Sequence, residues 1–113
     1  MNQKIAHQAL RDLIKKIKES TLSKDVLHFI LFGSLATGTY SEESDIDVLC
    51  VVKRKKEDLY PLLDLACQIE WKYNCKILFS LLIIDENLYQ RIQAGEATLS
   101  ESIKKEGQEL WAA

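Results

Sequence analysis

Two aspartates one residue apart, Asp45 and Asp47, are the side chains of this sequence best suited to do chemistry. They open an apolar run, Ile46 to Val52, that reads as a strand. In a strand the side chains at i and i+2 leave the same face, so the two carboxylates project together. Carboxylates held side by side repel unless a cation lies between them. A hard cation with oxygen ligands, usually magnesium, is the simplest partner. Separated from Asp45 by ten residues stands Gly33-Ser34, at the end of another apolar run, Val26 to Phe32. Glycine lets the backbone approach closely and take dihedrals that other residues avoid. Successive amides exposed in such a turn form an anion-binding nest, and the Ser34 hydroxyl adds a donor. An anion-binding turn beside a cation-binding pair suits a metal–nucleotide complex and phosphoryl or nucleotidyl transfer. Catalysis there is largely positioning and charge neutralisation. No Gly-Lys-Ser/Thr follows the turn, so it is not a P-loop.

The elements around these residues must bring the turn and the aspartates to one spot. Residues 2 to about 19 read as an amphipathic helix, with Ile5, Ala9, Leu13 and Ile17 at helical spacing and Leu10 and Ile14 widening the stripe. Lys4, Arg11, Lys15, Lys16 and Lys18 lie mostly off it, a basic face that is ordinarily solvated. Val26 to Phe32 is the first strand, and residues 33 to 44 are a turn and a short polar segment. That connection is too short for a parallel crossover, so the first two strands are expected to be antiparallel neighbours. The end of the first strand then meets the start of the second. The run Lys53-Arg54-Lys55-Lys56 follows, read as a solvated loop or as a reach toward a triphosphate. Glu57 to about Tyr73 reads as a helix with Pro61 in its first turn and Asn74 as its C-cap. Lys76 to Ile84, apolar on both faces, is expected to be a central third strand. Asp85 reads as the N-cap of a helix carrying Leu88 and Ile92. A last helical stretch holds Leu99 and Ile103 and breaks at Gly107, leaving Trp111 to close the core or meet a partner.

Length and composition bound the function. At 113 residues, 47% hydrophobic and 28% charged, the chain matches one compact α/β domain, residues 1–113. A net charge of -2 argues against a general nucleic-acid surface. No apolar run approaches a membrane span and no signal peptide is visible. Cys50, Cys67 and Cys75, odd in number and set among apolar residues, read as reduced core thiols of a cytoplasmic protein. His7 and His28 have no second ligand at metal spacing.

The segments Phe32-Gly33-Ser34-Leu35-Ala36-Thr37-Gly38 and Ser44-Asp45-Ile46-Asp47-Val48 resemble the signature of the minimal nucleotidyltransferases of the DNA polymerase β superfamily. The likeness runs over nearly the whole chain, including the close Lys105-Glu106-Gly107-Gln108-Glu109-Leu110-Trp111. It implies a polymerase β-like core, a three-stranded mixed sheet packed with about four helices. It also implies that Asp45 and Asp47 hold Mg2+, that Gly33 and Ser34 bind the triphosphate of ATP, and that a hydroxyl attacks the α-phosphate. Small members of this family are typically antitoxins that adenylylate a helical HEPN-type toxin, both partner and substrate. Assembly with that partner, or with further copies of the chain, stays open.

One departure stands out. Active members usually carry a third acid on the third strand, and by register Leu78 occupies that place, with Glu70 and Asp85 poor substitutes. An alternative follows from this departure: a weak or inactive nucleotidyltransferase-fold protein that neutralises its partner by binding alone. Transfer to a small molecule, as in antibiotic-modifying relatives, is disfavoured by the lack of an additional helical domain. An α/β domain in which the two motifs coincide by chance is the remaining alternative.

Overall fold

The computed structural model describes residues 2–41, 43–53, 60–95 and 100–112. Helix α1 (Asn2–Glu19) leads into a 3-10 turn at Thr21–Lys24 and strand β1 (Val26–Phe32). Helix α2 (Gly33–Thr37) and strand β2 (Ile46–Val52) follow, then α3 (Tyr60–Lys72), β3 (Phe79–Asp85), α4 (Glu86–Gln93), α5 (Ser100–Glu106) and β4 (Gln108–Ala112). No helix among these residues is long and apolar enough to cross a membrane.

The helices form where apolar spacing demands them. On α1 the buried stripe is Ala6, Ala9, Leu10, Leu13 and Ile17, whereas Ile5, expected within it, is 43% exposed. Helix α3 buries Leu62, Ala66 and Ile69. It ends where Asn74 turns left-handed at φ 57, the conformation a helix stop requires. Asp85 caps α4, its carboxylate accepting from the Leu88 amide at 2.9 Å. Residues 54–59 and Leu99 lie outside the described residues, and with them most of the basic run, the expected start of α3 and one apolar position of the last helix.

The sheet order is β3-β2-β1-β4. β1 and β2 are antiparallel, as their short connection requires, and β2 and β3 are parallel. Side chains alternate between two cores. Val48 and Cys50 of β2 join Phe29 and Leu31 of β1 beneath α1 and α3. Leu49 and Val51 join Ile30 beneath α4 and α5, through Tyr89, Ile92 and Ile103. Every residue of β2 is buried except Asp47, which is half-buried.

Four further expectations are corrected. The sheet has a fourth strand: β4 pairs antiparallel with β1, Ile30 opposite Glu109 and Leu31 opposite Gln108. Five residues with two polar ones at the front carry too little pattern to be recognised alone. Second, β3 is an edge strand, not a central one, and Leu82 is 37% exposed. Its continuous apolar character mimics burial on both sides, and the place beyond β1 is taken by β4. Third, residues 33–37 of the expected turn are helical. Fourth, only Cys50 is a core thiol, while Cys67 and Cys75 are exposed.

Candidate active site

The site lies where β1 ends and β2 begins. The strand register sets Phe32 opposite Asp47, so Gly33, the next residue, meets the aspartate side chain. Gly33 has φ +74, and a Cβ built on it would fall against the Asp47 carboxylate, 3.0 Å from its Cγ. A close approach and a left-handed dihedral thus both require glycine here. The backbone turns directly into α2, whose preceding residue Phe32 is extended and gives no side-chain cap. The opening amides of a helix have no intrahelical partner, and the Phe32 side chain supplies none.

The turn is held from several sides. Gly38 ends α2 in the left-handed region, its amide bonded to the Ser34 carbonyl. Thr37 donates from its hydroxyl toward the Gly33 and Ser34 carbonyls at 3.3 and 3.2 Å. The Thr39 amide reaches the Ser34 carbonyl at 2.9 Å. Gln3 of α1 donates to the Gly38 carbonyl at 2.7 Å, and Gln108 of β4 to the Ala36 carbonyl at 3.2 Å. Buried Leu35 anchors the short helix to the core. Sequence reasoning missed these supports. The Gly-Ser-x-x-Thr-Gly-Thr spacing was their only local signal, because the glutamines come from remote parts of the chain.

Asp45 stands exposed just before β2 and Asp47 one residue inside it. Burial, and then the charge of Asp45, push the Asp47 carboxyl above its ordinary range. Among the described residues no lysine, arginine or histidine forms an ion pair with either aspartate. Tyr40, buried in the connection to β2, is a further neighbour that the sequence did not single out. Burial and the Asp45 charge raise its hydroxyl in the same way. Two carboxylates in each other's field, with no cation paired to them among the described residues, form a donor set that fits a divalent metal with phosphate oxygens as its other ligands.

Among the described residues no third carboxylate joins them. Leu78 accepts the Ile46 amide on its carbonyl at 2.8 Å, which seats it beside Asp45, and its side chain is 45% exposed. Ser80 is the register partner of Asp47. Glu70 belongs to α3, beneath the opposite face, and accepts the Phe79 amide at 2.8 Å. Asp85 pairs with Val52 at the far end of β2 and is used as a helix cap. Among the described residues no three carboxylate, histidine or cysteine side chains cluster as a metal site.

Comparisons with known proteins place the chain in a family. The profile of the nucleotidyltransferase domain family matches residues 14–109. MJ0141 of Methanocaldococcus jannaschii, named a candidate protein adenylyltransferase, is 39% identical over 82 residues, 68% of this chain and 81% of its own length. A mutant MntA–HpeT toxin–antitoxin crystal structure aligns over 91% of this chain and 72% of its own, with TM-score 0.55 and 20% identity. A toxin–antitoxin structure with AMP-PNP aligns over 100% of this chain and 75% of its own, with TM-score 0.53 and 20% identity. At that identity the structural likeness speaks for the fold.

Proposed function

Because the chain belongs to the nucleotidyltransferase domain family, we propose that it transfers the adenylyl group of ATP to a hydroxyl on a partner protein. We further propose that the partner is a small helical HEPN-type toxin, which this transfer neutralises. The observation that carries the reading is the contact between Gly33 and Asp47, which sets an anion-binding turn against a carboxylate pair.

In this reading the triphosphate lies on the Gly33–Ser34 turn, with the amides opening α2 and the Ser34 hydroxyl as donors. Asp45 and Asp47 would hold magnesium, which supplies charge neutralisation at the phosphates when bound. The turn is built before substrate arrives, locked by Thr37, Thr39, Gln3 and Gln108, so little ordering remains to oppose binding. The acceptor hydroxyl oxygen forms a bond to the α-phosphorus and releases its proton to solvent, the bond from that phosphorus to the bridging oxygen breaks, and pyrophosphate leaves with the bonding pair. The relative named for protein adenylyl transfer and the neighbours that are toxin–antitoxin complexes support a protein acceptor.

The test is incubation with ATP, magnesium and a HEPN-type protein, read by intact-protein mass. Gain of the mass of AMP on the partner, lost in Asp45→Asn/Asp47→Asn, is expected. A partner neutralised without any mass gain, equally well by that double variant, overturns the transfer reading. The specific observation favouring a second reading, neutralisation by binding alone, is Leu78 beside Asp45 where a further carboxylate would complete the site.

A further inference from the structure

The basic face of α1 takes on a shape in the tertiary structure. Arg11, Lys15 and Lys18 lie along one edge of the helix and line a groove of about 580 Å3 with Ile14 and Glu19. Its other wall is Leu110 of β4. Lys18 closes one end, its Nζ 5.6 Å from the centre of the Trp111 ring. Among the described residues none of these three cations pairs with a carboxylate, whereas Lys72 on the adjacent α3 is bound to Asp12. In a chain of net charge -2 this is a local excess of positive charge around an aliphatic floor. The strand beside it, β4, ends the sheet, so its outer row of amides and carbonyls has no strand partner among the described residues.

We propose that this groove docks an extended acidic segment of a partner protein, added as a fifth strand beside β4. Strand addition satisfies an edge that is otherwise open to water. Alternate side chains of the added strand then fall into the groove. Apolar ones pack between Ile14 and Leu110, and carboxylates meet Lys15 and Lys18. Same-face strand side chains repeat about every 6.8 Å, against a rise of about 4.5 Å between Lys15 and Lys18, three apart on the helix, a difference that the long lysine side chains span. A nucleic acid would gain nothing from the aliphatic floor of Ile14 and Leu110. The proposal uses the reading above only in requiring a protein partner. The groove lies away from Asp45 and Asp47, so docking and transfer can fail independently.

The experiment titrates the full chain into a fluorescein-labelled peptide in which glutamate and valine alternate at every second position with threonine between them, so that both share one strand face, read by anisotropy. The controls are a peptide of the same composition with its charges in one block, a thymidine oligonucleotide and phosphatidylserine vesicles. Binding should weaken about tenfold or more in Lys15→Glu/Lys18→Glu, both exposed positions, and should fall with added salt. Peptide binding should also slow hydrogen exchange at the amides of residues 108–112 and should persist in Asp45→Asn/Asp47→Asn. The proposal is overturned if the block peptide, oligonucleotide or vesicles bind as tightly as the alternating peptide. It is equally overturned if charge reversal leaves binding unchanged, or if residues 108–112 gain no protection.

Discussion

The backbone of Gly33 and the carboxylate of Asp47 occupy adjoining space, and even one added methyl group on the glycine would overlap the acid. Gly33→Ala therefore displaces Asp47 and also strains a backbone at φ +74. The strain alone costs about 1–2 kcal/mol. We expect a folded protein with adenylyl transfer reduced about a hundredfold or more, since a misplacement of about 1 Å can cost that much. Gly38→Ala is the control. It has φ +84 but no atom within 4 Å of the added carbon. It should lose similar stability in a denaturant titration yet leave the affinity for Mg-ATP nearly intact.

Asp47 sets a pH dependence. Burial and Asp45 raise its carboxyl above the value in the unfolded chain. Between those two values the folded protein keeps a proton that the unfolded chain has released, so this group's contribution to stability falls as pH rises through the interval. Asp47→Asn removes that loss. Without divalent cations the variant should melt higher than the parent at neutral pH, and the two should converge below the carboxylate range. Added magnesium should raise the melting temperature of the parent and leave the variant almost unmoved. Thermal melts from about pH 3 to pH 8 span the ordinary range of such a group.

Leu78 offers the reverse experiment. Its side chain is already 45% exposed beside Asp45, so Leu78→Asp adds a carboxylate to the pair with little apolar burial to lose. Manganese affinity, followed by electron paramagnetic resonance, should rise about tenfold, because cation affinity follows ligand charge. Transfer should rise with it. A variant that folds but binds manganese no better would remove Leu78 from the site.

The junction of α1 and α3 depends on Asp12. Burial opposes its ionisation, but hydrogen bonds from Tyr73, Lys72 and Gln8 together outweigh burial and hold the carboxyl below its usual value. Tyr73 donates at 2.6 Å, and its own hydroxyl is pushed up to about 12 by burial and Asp12. Tyr73→Phe should cost about 1.5–3 kcal/mol in urea unfolding, the scale of a hydrogen bond to a charged group. The difference from the parent should shrink as pH falls through the folded carboxyl's range, where Asp12 protonates.

Thiol chemistry should separate the cysteines. Burial pushes Cys50 up to about 12, so neither access nor ionisation favours attack. Cys67 and Cys75 are exposed. An aromatic disulfide reagent should titrate two thiols at once in the native protein and the third only on unfolding.

The sequence by itself determined the first two strands and the pairing of two carboxylates at the start of the second. The bounds of β1 and β2 follow from two apolar runs, and the face shared by Asp45 and Asp47 follows from strand alternation alone. These are local properties, set by the pleat and by residues a few positions apart. The antiparallel pairing was also legible, because a short connection leaves the chain no room for a crossover. Tertiary structure decided which residues join from a distance. It seated β4 at the edge beside β1, left β3 exposed, and brought Gln3 and Gln108 onto the turn after Gly33. It sent Glu70 to the opposite face and Asp85 to a helix cap, leaving Asp45 and Asp47 without a third acid among the described residues. Such choices depend on how whole elements compete to cover the two faces and edges of one sheet, a competition that no local spacing records.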